Sequence, residues 1–307
     1  MIKKKKVLIC GCGNIAGKYN QNSKTSISLT HAHAIKNSKH FNIEACIDIN
    51  KKNLKEFSHY WNIEKTFTSF SNLEASKYDL IVISTPAESH IKFLKYALSL
   101  NPQVIFIEKP VASTKSDISY LKTLKNNNIC VNYSRAWDKS IDEYKSELIR
   151  SHYIRCEMSG DILNSASHML HLMRNIFGNI KFSDIKKEKE IVLINFQTKN
   201  CLIEFRIFLN KRGYDLFEFT SFQSNGSISM LNNGLNWARR DPIKDSTYPD
   251  LRYLSINSNF KKGKYLDTLN NAYSNINAFI DTGEKLKCSL KDAINVEELL
   301  IQARDKL

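Results

Sequence analysis

A chain of 307 residues with 42% hydrophobic content is long enough for two domains with sizeable cores, and no apolar run approaches the roughly 20 residues needed to cross a membrane. Forty-five Lys and Arg against 31 Asp and Glu give a formal charge of +14, yet the basic residues are scattered among acids and no helix-turn-helix, zinc-finger or aromatic RNA-binding motif appears. Nucleic acid is therefore not expected as a partner, and a positive field drawing in an anionic small molecule fits better. Seven cysteines, an odd number without repeated zinc spacing, fit reduced thiols in a cytoplasmic compartment. Cys10 and Cys12 share one face beside a glycine turn, and no metal site is expected.

The first lysines, 3–6, mimic the charged start of a secretory leader, but the apolar run behind them (7–10) is too short for one. That run reads as a buried strand, and Gly11-Cys12-Gly13-Asn14-Ile15-Ala16-Gly17 follows it directly. Gly11 permits a sharp turn out of the strand, Gly13 lets a pyrophosphate approach the backbone, and a third small residue allows close helix–strand packing. Here Ala16 holds the third position with Gly17 behind it. The helix expected next would direct its N-terminal N–H groups at the phosphates.

Residues 20–30 form a polar stretch read as a loop inserted near that turn. The strand expected over 42–49 carries Asp48 at its end, placed to accept hydrogen bonds from both hydroxyls of a ribose and to repel a 2′-phosphate. This favours NAD, with NADP the lesser choice. Asp48 lies farther past Ala16 than the usual ~20 residues, because of the inserted loop. Lys51 and Lys52 follow and offer the opposing possibility of receiving a phosphate.

Short β-type runs at 7–10, 43–47, 80–84, 104–107 and 129–132 alternate with helix-length segments at 31–38, 51–61, 89–98 and 116–126. The alternation predicts an α/β fold, an N-terminal Rossmann domain with a doubly wound parallel sheet over 1–135. Ligands of such sheets sit at the carboxyl ends of the strands. There the sequence collects the glycine turn, Asp48, Ser84-Thr85-Pro86, Glu108-Lys109-Pro110 and Asn132-Tyr133-Ser134-Arg135. Pro110 disfavours helix at Lys109 and holds it extended, and its X-Pro bond is among the few that adopt cis. A lysine fixed at this edge can reach a nicotinamide ribose and a substrate hydroxyl, and ease departure of the hydroxyl proton as hydride leaves the same carbon.

The second half, 136–307, reads as an α+β domain on a mostly antiparallel sheet. Residues 164–177 form a helix with Met169, Leu172, Met173 and Ile176 on its apolar side and Gly178 as its stop. His168 and His171, three apart, occupy neighbouring positions on one face. Strands are expected at 191–197, 201–208, 216–221 and 227–231, joined by turns at 198–200, 210–214 and 224–226. Arg239, Arg240 and Lys244 fall, with Trp237, in a stretch read as a solvated loop that could alternatively meet a phosphate or carboxylate. Closing helices are expected at 269–282 and 290–307, the last one packing back on the Rossmann domain.

GCGNIAGKY, STPAESH (84–90), EKP (108–110) and SASHMLHLMRNIFG (165–178) together resemble the glucose–fructose oxidoreductase / inositol dehydrogenase / MocA (Gfo/Idh/MocA) family, strongly to about residue 135 and more loosely beyond. The resemblance implies NAD(P)-dependent oxidation or reduction of a sugar or nucleotide sugar, and a homodimer or homotetramer formed through the C-terminal sheet. It implies a cofactor site of Gly11, Gly13, Asn14, Ile15, Ala16, Asp48, Ser84, Thr85, Pro86, His90, Glu108 and Lys109, with Lys109 catalytic and Glu108 supporting it. The family's Asp-x-x-x-His-x-x-Asp reads Asn164, His168 and His171 here. His168 is thus the candidate general base, beside an Asn164 that cannot ionise; Asp161 is a substitute carboxylate at best. Residues 138–163 are fewer than the family spends there on a strand and covering loops, so an abbreviated substrate domain is expected. Loss of both carboxylates keeps two rivals open: a catalytically silent NAD-binding regulatory or scaffold protein, and an epimerase or hydrolase that oxidises its substrate transiently on tightly bound NAD.

Overall fold

The computed structural model describes residues 3–23, 25–73, 77–125, 128–209, 213–255 and 259–307. The chain divides into two units, one of Met1–Trp137 with Leu266–Glu297 and one of Asp138–Tyr265 with Glu298–Leu307.

The first unit is built on six strands, β1 (Lys5–Cys10), β2 (Phe41–Ile47), β3 (Lys65–Phe67), β4 (Leu80–Ile83), β5 (Val104–Ile107) and β6 (Ile129–Val131). All run parallel in the order β3-β2-β1-β4-β5-β6, the doubly wound arrangement expected. β4 and β5 are buried at every residue, as strands covered on both faces must be. The register aligns the strand ends, with Cys10 opposite Ile47 and Ile83, Ile83 opposite Ile107, and Ile107 opposite Val131. The residues that follow (Gly11, Asp48, Ser84, Glu108 and Asn132) therefore form one row along the carboxyl edge.

Local chemistry explains the helices of this unit. Asn50 caps the helix Lys51–Trp61 by accepting from the Lys52 and Asn53 amides at 3.0 and 3.1 Å, and Asn62 ends it in the left-handed region. Thr114 and Asp117 form a capping box for Lys115–Thr123. The helix Thr268–Thr282 also belongs to this unit, and its Tyr273 packs edge-on against Phe41, Phe106 and His31. One expectation fails at the glycine turn. The next segment is a π turn, Asn14–Lys18, followed by a three-residue helix, Tyr19–Gln21, and not one continuous α-helix. The inserted loop then claims the chain. Asn20 is buried there, donating to the Ile27 carbonyl and accepting from the Leu29 amide and the Thr30 hydroxyl.

The second unit holds β7 (Tyr153–Ser159), β8 (Lys181–Glu188), β9 (Ile191–Gln197), β10 (Leu202–Phe208), β11 (Phe217–Gln223), β12 (Gly226–Leu231), β13 (Asn236–Arg240), the hairpin β14 (Pro242–Lys244) with β15 (Arg252–Leu254), and β16 (Asn259–Lys262). Eight of them form a sheet ordered β16-β13-β12-β11-β7-β10-β9-β8, antiparallel except for the β7–β10 pair. Residues 138–163 supply the helix Lys139–Leu148 and β7, which lies between β11 and β10. β7 buries Ile154, Cys156 and Met158 alternately with half-exposed Tyr153, Arg155 and Glu157. The loop expected around Arg239, Arg240 and Lys244 is instead strand β13 and hairpin strand β14. The turn expected over 210–214 falls largely on residues outside those described. Among the described residues no helix is long and apolar enough to cross a membrane.

Candidate functional site

Gly11 sits at φ +92° with its amide donating to the Ile47 carbonyl at 2.8 Å. A Cβ there would stand 2.8 Å from the Ser84 carbonyl carbon and oxygen and 2.9 Å from the Thr85 nitrogen, so glycine is required twice over. At Gly13 a Cβ would meet nothing within 4 Å. Open space over a bare backbone is what a pyrophosphate needs. Ala16 is fully buried, but the close approach belongs to Gly17, where a Cβ would lie 2.3 Å from the Trp61 ring nitrogen and 2.5 Å from Phe57. The wider π turn, in which the Gly17 and Lys18 amides both donate to the Gly13 carbonyl, brings position 17 onto the helix Lys51–Trp61. Asn14 is exposed and Ile15 half-buried. Gly11→Ala is expected to destabilise the first unit by about 2–3 kcal/mol, from overpacking against unyielding backbone, and to abolish dinucleotide binding. Urea unfolding and calorimetry measure both, and an unchanged variant would refute the packing argument.

Asp48 closes the turn from the side. Its Oδ2 accepts from the Cys12 amide at 2.7 Å and its Oδ1 from the Asn50 amide at 2.8 Å. A carboxylate has about four acceptor positions, so two remain for hydroxyl groups. Gly11, Gly13, Asp48, Ser84, Thr85 and Pro86 line one cleft of about 490 Å³. Ile49, Asn50, Asn53, Glu88, Ser89 and Phe93 complete it; Glu88 and Ser89 lie within STPAESH, but the sequence reading assigned none of the six to the site. Ile49 carries a detectable signal: an apolar residue directly after a strand end, 83% exposed, forming one wall. Phe93 lies on the helix His90–Ser99 and packs edge-on against Phe70 at 5.1 Å. Lys51 and Lys52 are exposed at the start of their helix and do not line the cleft.

The turn after β4 is tied to the glycine turn, since Ser84 Oγ donates to the Cys10 and Gly11 carbonyls, each at 3.1 Å. His90 is only 1% exposed and lies off the cleft. Its Nε2 is 2.8 Å from the Thr85 carbonyl and its Nδ1 2.8 Å from the Pro110 carbonyl, so the ring links the two turns.

The Lys109–Pro110 peptide is cis. Behind Lys109, Glu108 accepts from Asn132 Nδ2 at 2.6 Å and lies 2.9 Å from His31 Nε2, while His31 Nδ1 is 2.9 Å from the Tyr273 hydroxyl. Burial alone would push the Glu108 carboxyl up. The His31 hydrogen bond and charge, the Asn132 amide and the Lys109 charge outweigh it and hold the carboxyl below its ordinary value. Asn132 was among the residues collected at the strand ends, but His31 read only as a helix start and Tyr273 as a helix residue. Long sequence separation hides such partners.

In the second unit, Asn164 precedes the helix Ser165–Phe177 and is exposed; its amide donates to Asp161 Oδ1 at 2.6 Å, and its carbonyl accepts from Ser167 Oγ at 3.0 Å. Asp161 is thus occupied with the helix start. His168 is half-buried and stands edge-on to Phe217 at 6.4 Å, whereas His171 is 4% exposed. Arg239 pairs with Asp241 and Glu147, and Arg240 donates to the Ser255 and Leu254 carbonyls. Trp237 stacks on Tyr144 at 4.5 Å.

Comparison with known proteins bears on the fold. Residues 5–134 match the model of the Gfo/Idh/MocA oxidoreductase family with its NAD-binding Rossmann fold. No curated protein matches the chain. Among solved structures, an oxidoreductase from Agrobacterium radiobacter in complex with NAD+, L-tartaric acid and magnesium is similar at TM-score 0.75 and 17% identity, over 99% of this chain and 96% of that one. A variant 3-ketoreductase from Actinomadura kijaniata, in complex with TDP-benzene and NADP, gives 0.77 and 12% over 99% and 98%. A UDP-N-acetylglucosamine 3-dehydrogenase from Acidithiobacillus ferrooxidans gives 0.78 and 12% over 100% and 98%. At such identities the likeness is one of fold.

Proposed function

We propose that this chain, an NAD(P)-binding oxidoreductase of the Gfo/Idh/MocA family, uses NAD to move a hydride to or from a CH–OH carbon of a sugar or nucleotide sugar. The carrying observation is the row along the carboxyl edge of the first sheet: the glycine turn, Asp48 and Ser84–Pro86 frame one cleft, and Lys109 is anchored in the same row. A dinucleotide bound there supplies the hydride acceptor or donor. The backbone at Gly13 leaves room for its phosphates, and Asp48 takes the ribose hydroxyls. Lys109 orients the reacting hydroxyl and eases the movement of its proton. His168 in the second unit is the candidate general base, with Asn164 as a neutral hydrogen-bonding neighbour. The similarity to a UDP-N-acetylglucosamine 3-dehydrogenase and to a 3-ketoreductase that binds TDP-benzene, with the +14 charge, favours an anionic sugar derivative. A cytoplasmic homodimer or homotetramer, formed through the eight-stranded sheet, completes the reading; seven free, buried cysteines fit a reducing compartment.

Calorimetry tests the cofactor. Wild type should bind NAD at least about tenfold more tightly than NADP, and Asp48→Ser should erase that difference, tenfold being worth ~1.4 kcal/mol. Equal affinity of wild type for both would defeat the NAD assignment. Asn164, standing where the family has a carboxylate, favours a second reading in which the chain holds NAD without net turnover. Cofactor that stays bound and oxidised while the supplied sugar is left unchanged would select it; retained NAD with a changed sugar would point instead to transient oxidation on tightly held NAD.

A further inference from the structure

The helix Leu290–Arg304 buries a carboxylate that the redox reading leaves without a role. Glu297 is 0% exposed. Its Oε1 accepts from the Val111 amide and the Tyr133 hydroxyl, both at 2.8 Å, and its Oε2 accepts from the Ala112 amide at 2.7 Å. Those two amides directly follow Lys109-Pro110, in a segment without helix or strand partners of its own. Buried N–H groups left unmatched are costly, and here one side chain satisfies two in succession. The same segment is held elsewhere by the Glu108 amide on the Ile83 carbonyl at 2.8 Å and by His90 at the Pro110 carbonyl.

A carboxylate here works against the fold. Burial pushes Glu297 up to about 7, against the lowering by the Val111 amide, the Tyr133 hydroxyl, the Ala112 amide and the Lys109 charge. Cys288 also faces it, its thiol raised by burial and, in small part, by Glu297. With the folded value above the ordinary 4.5, the associated stability is fully present below the ordinary value and is lost as pH rises through about 7. A charge retained at the expense of stability points to a service for the segment it holds.

We propose that Glu297 is a positioning residue for Lys109, its buried carboxylate fixing the backbone behind the lysine through the Val111 and Ala112 amides. The inference rests on the reading of Lys109 as the proton-handling residue. The two opposite charges act on one another, so removing the carboxylate lowers the proton affinity of the ammonium.

The test compares wild type with Glu297→Gln at matched folding. Amide exchange is followed at 111 and 112, and acetylation of Lys109 by acetic anhydride is followed by mass spectrometry as a function of pH. The glutamine places an NH₂ against the Ala112 N–H, so exchange at these two amides should quicken about tenfold or more. The Lys109 acetylation midpoint should fall by about half a pH unit, with NAD affinity held within about threefold. A folded variant with unchanged exchange and midpoint overturns the proposal. If Glu297→Gln does not fold, Glu297→Asp keeps the charge but withdraws it by one carbon: faster exchange with the Lys109 midpoint kept supports the clamp, and unchanged exchange overturns it. Turnover in Lys109 variants tests the underlying reading separately, because the exchange result does not depend on it.

Discussion

Lys109→Met should lower turnover about 10²- to 10⁴-fold, the range expected when a positioned proton-transfer group is removed, while dinucleotide affinity changes only a few-fold. The separation follows from the geometry. The residues framing the cleft come from the turns after β1, β2 and β4 and from neighbouring helices, and Lys109 is not among them. It stands instead one strand over, after β5, half-buried. Methionine keeps most of the aliphatic stem and removes the ammonium, so a lost rate reports the charge and its proton, not a packing defect. Arginine is not a substitute, since its planar guanidinium neither fits a compact ammonium's position nor gives up a proton. The measurement is nicotinamide reduction with a panel of sugars and nucleotide sugars, beside calorimetry with NAD. Turnover that survives the substitution would move the chemistry away from this edge.

Much of this arrangement was legible in the sequence because it depends on local signals. An apolar run followed by Gly11-Cys12-Gly13 marks a strand end and a turn at once. The same logic located Asp48, Ser84 and Glu108, and parallel register does the rest by aligning strand ends into one row. The helix Ser165–Phe177 was legible by its period and by the glycine behind it.

Misreadings occurred where a second interaction overrode the local pattern. Ala16 fits the fingerprint, yet a π turn hands the close packing to Gly17, and no residue type marks a π turn in advance. β7 was passed over because Arg155 and Glu157 occupy its open face; charge masked an alternation that Ile154, Cys156 and Met158 carry plainly. Arg239 and Arg240 resembled a solvated loop until their partners, Glu147, Asp241 and two carbonyls near 255, were in view. Tertiary partners of this kind leave no mark on neighbouring residues.

The largest loss of stability is expected at Glu108. Glu108→Ala removes the acceptor of Asn132 and the partner of His31 inside the first unit, where the carboxylate side chain is 12% exposed and the histidine 1%. Removing one member of a buried pair costs about 3–5 kcal/mol, because the donors left behind lose both partner and water. Glu108→Gln keeps one acceptor oxygen and should cost less. The pH dependence has a definite sign. The carboxyl is held below its ordinary value once His31, Asn132 and Lys109 outweigh burial, so its contribution is present above the ordinary 4.5 and is lost as pH falls through the lower folded value. Tyr273 responds in the opposite sense: burial and then the Glu108 charge raise its hydroxyl, and that second influence disappears in Glu108→Ala. Urea unfolding of the first unit, followed through exchange of the β1, β4 and β5 amides, should show the variant less stable at pH 7 and the gap to wild type narrowing below pH 4.5. A gap that stays constant across that range would mean that Glu108 serves the fold by shape and not by charge.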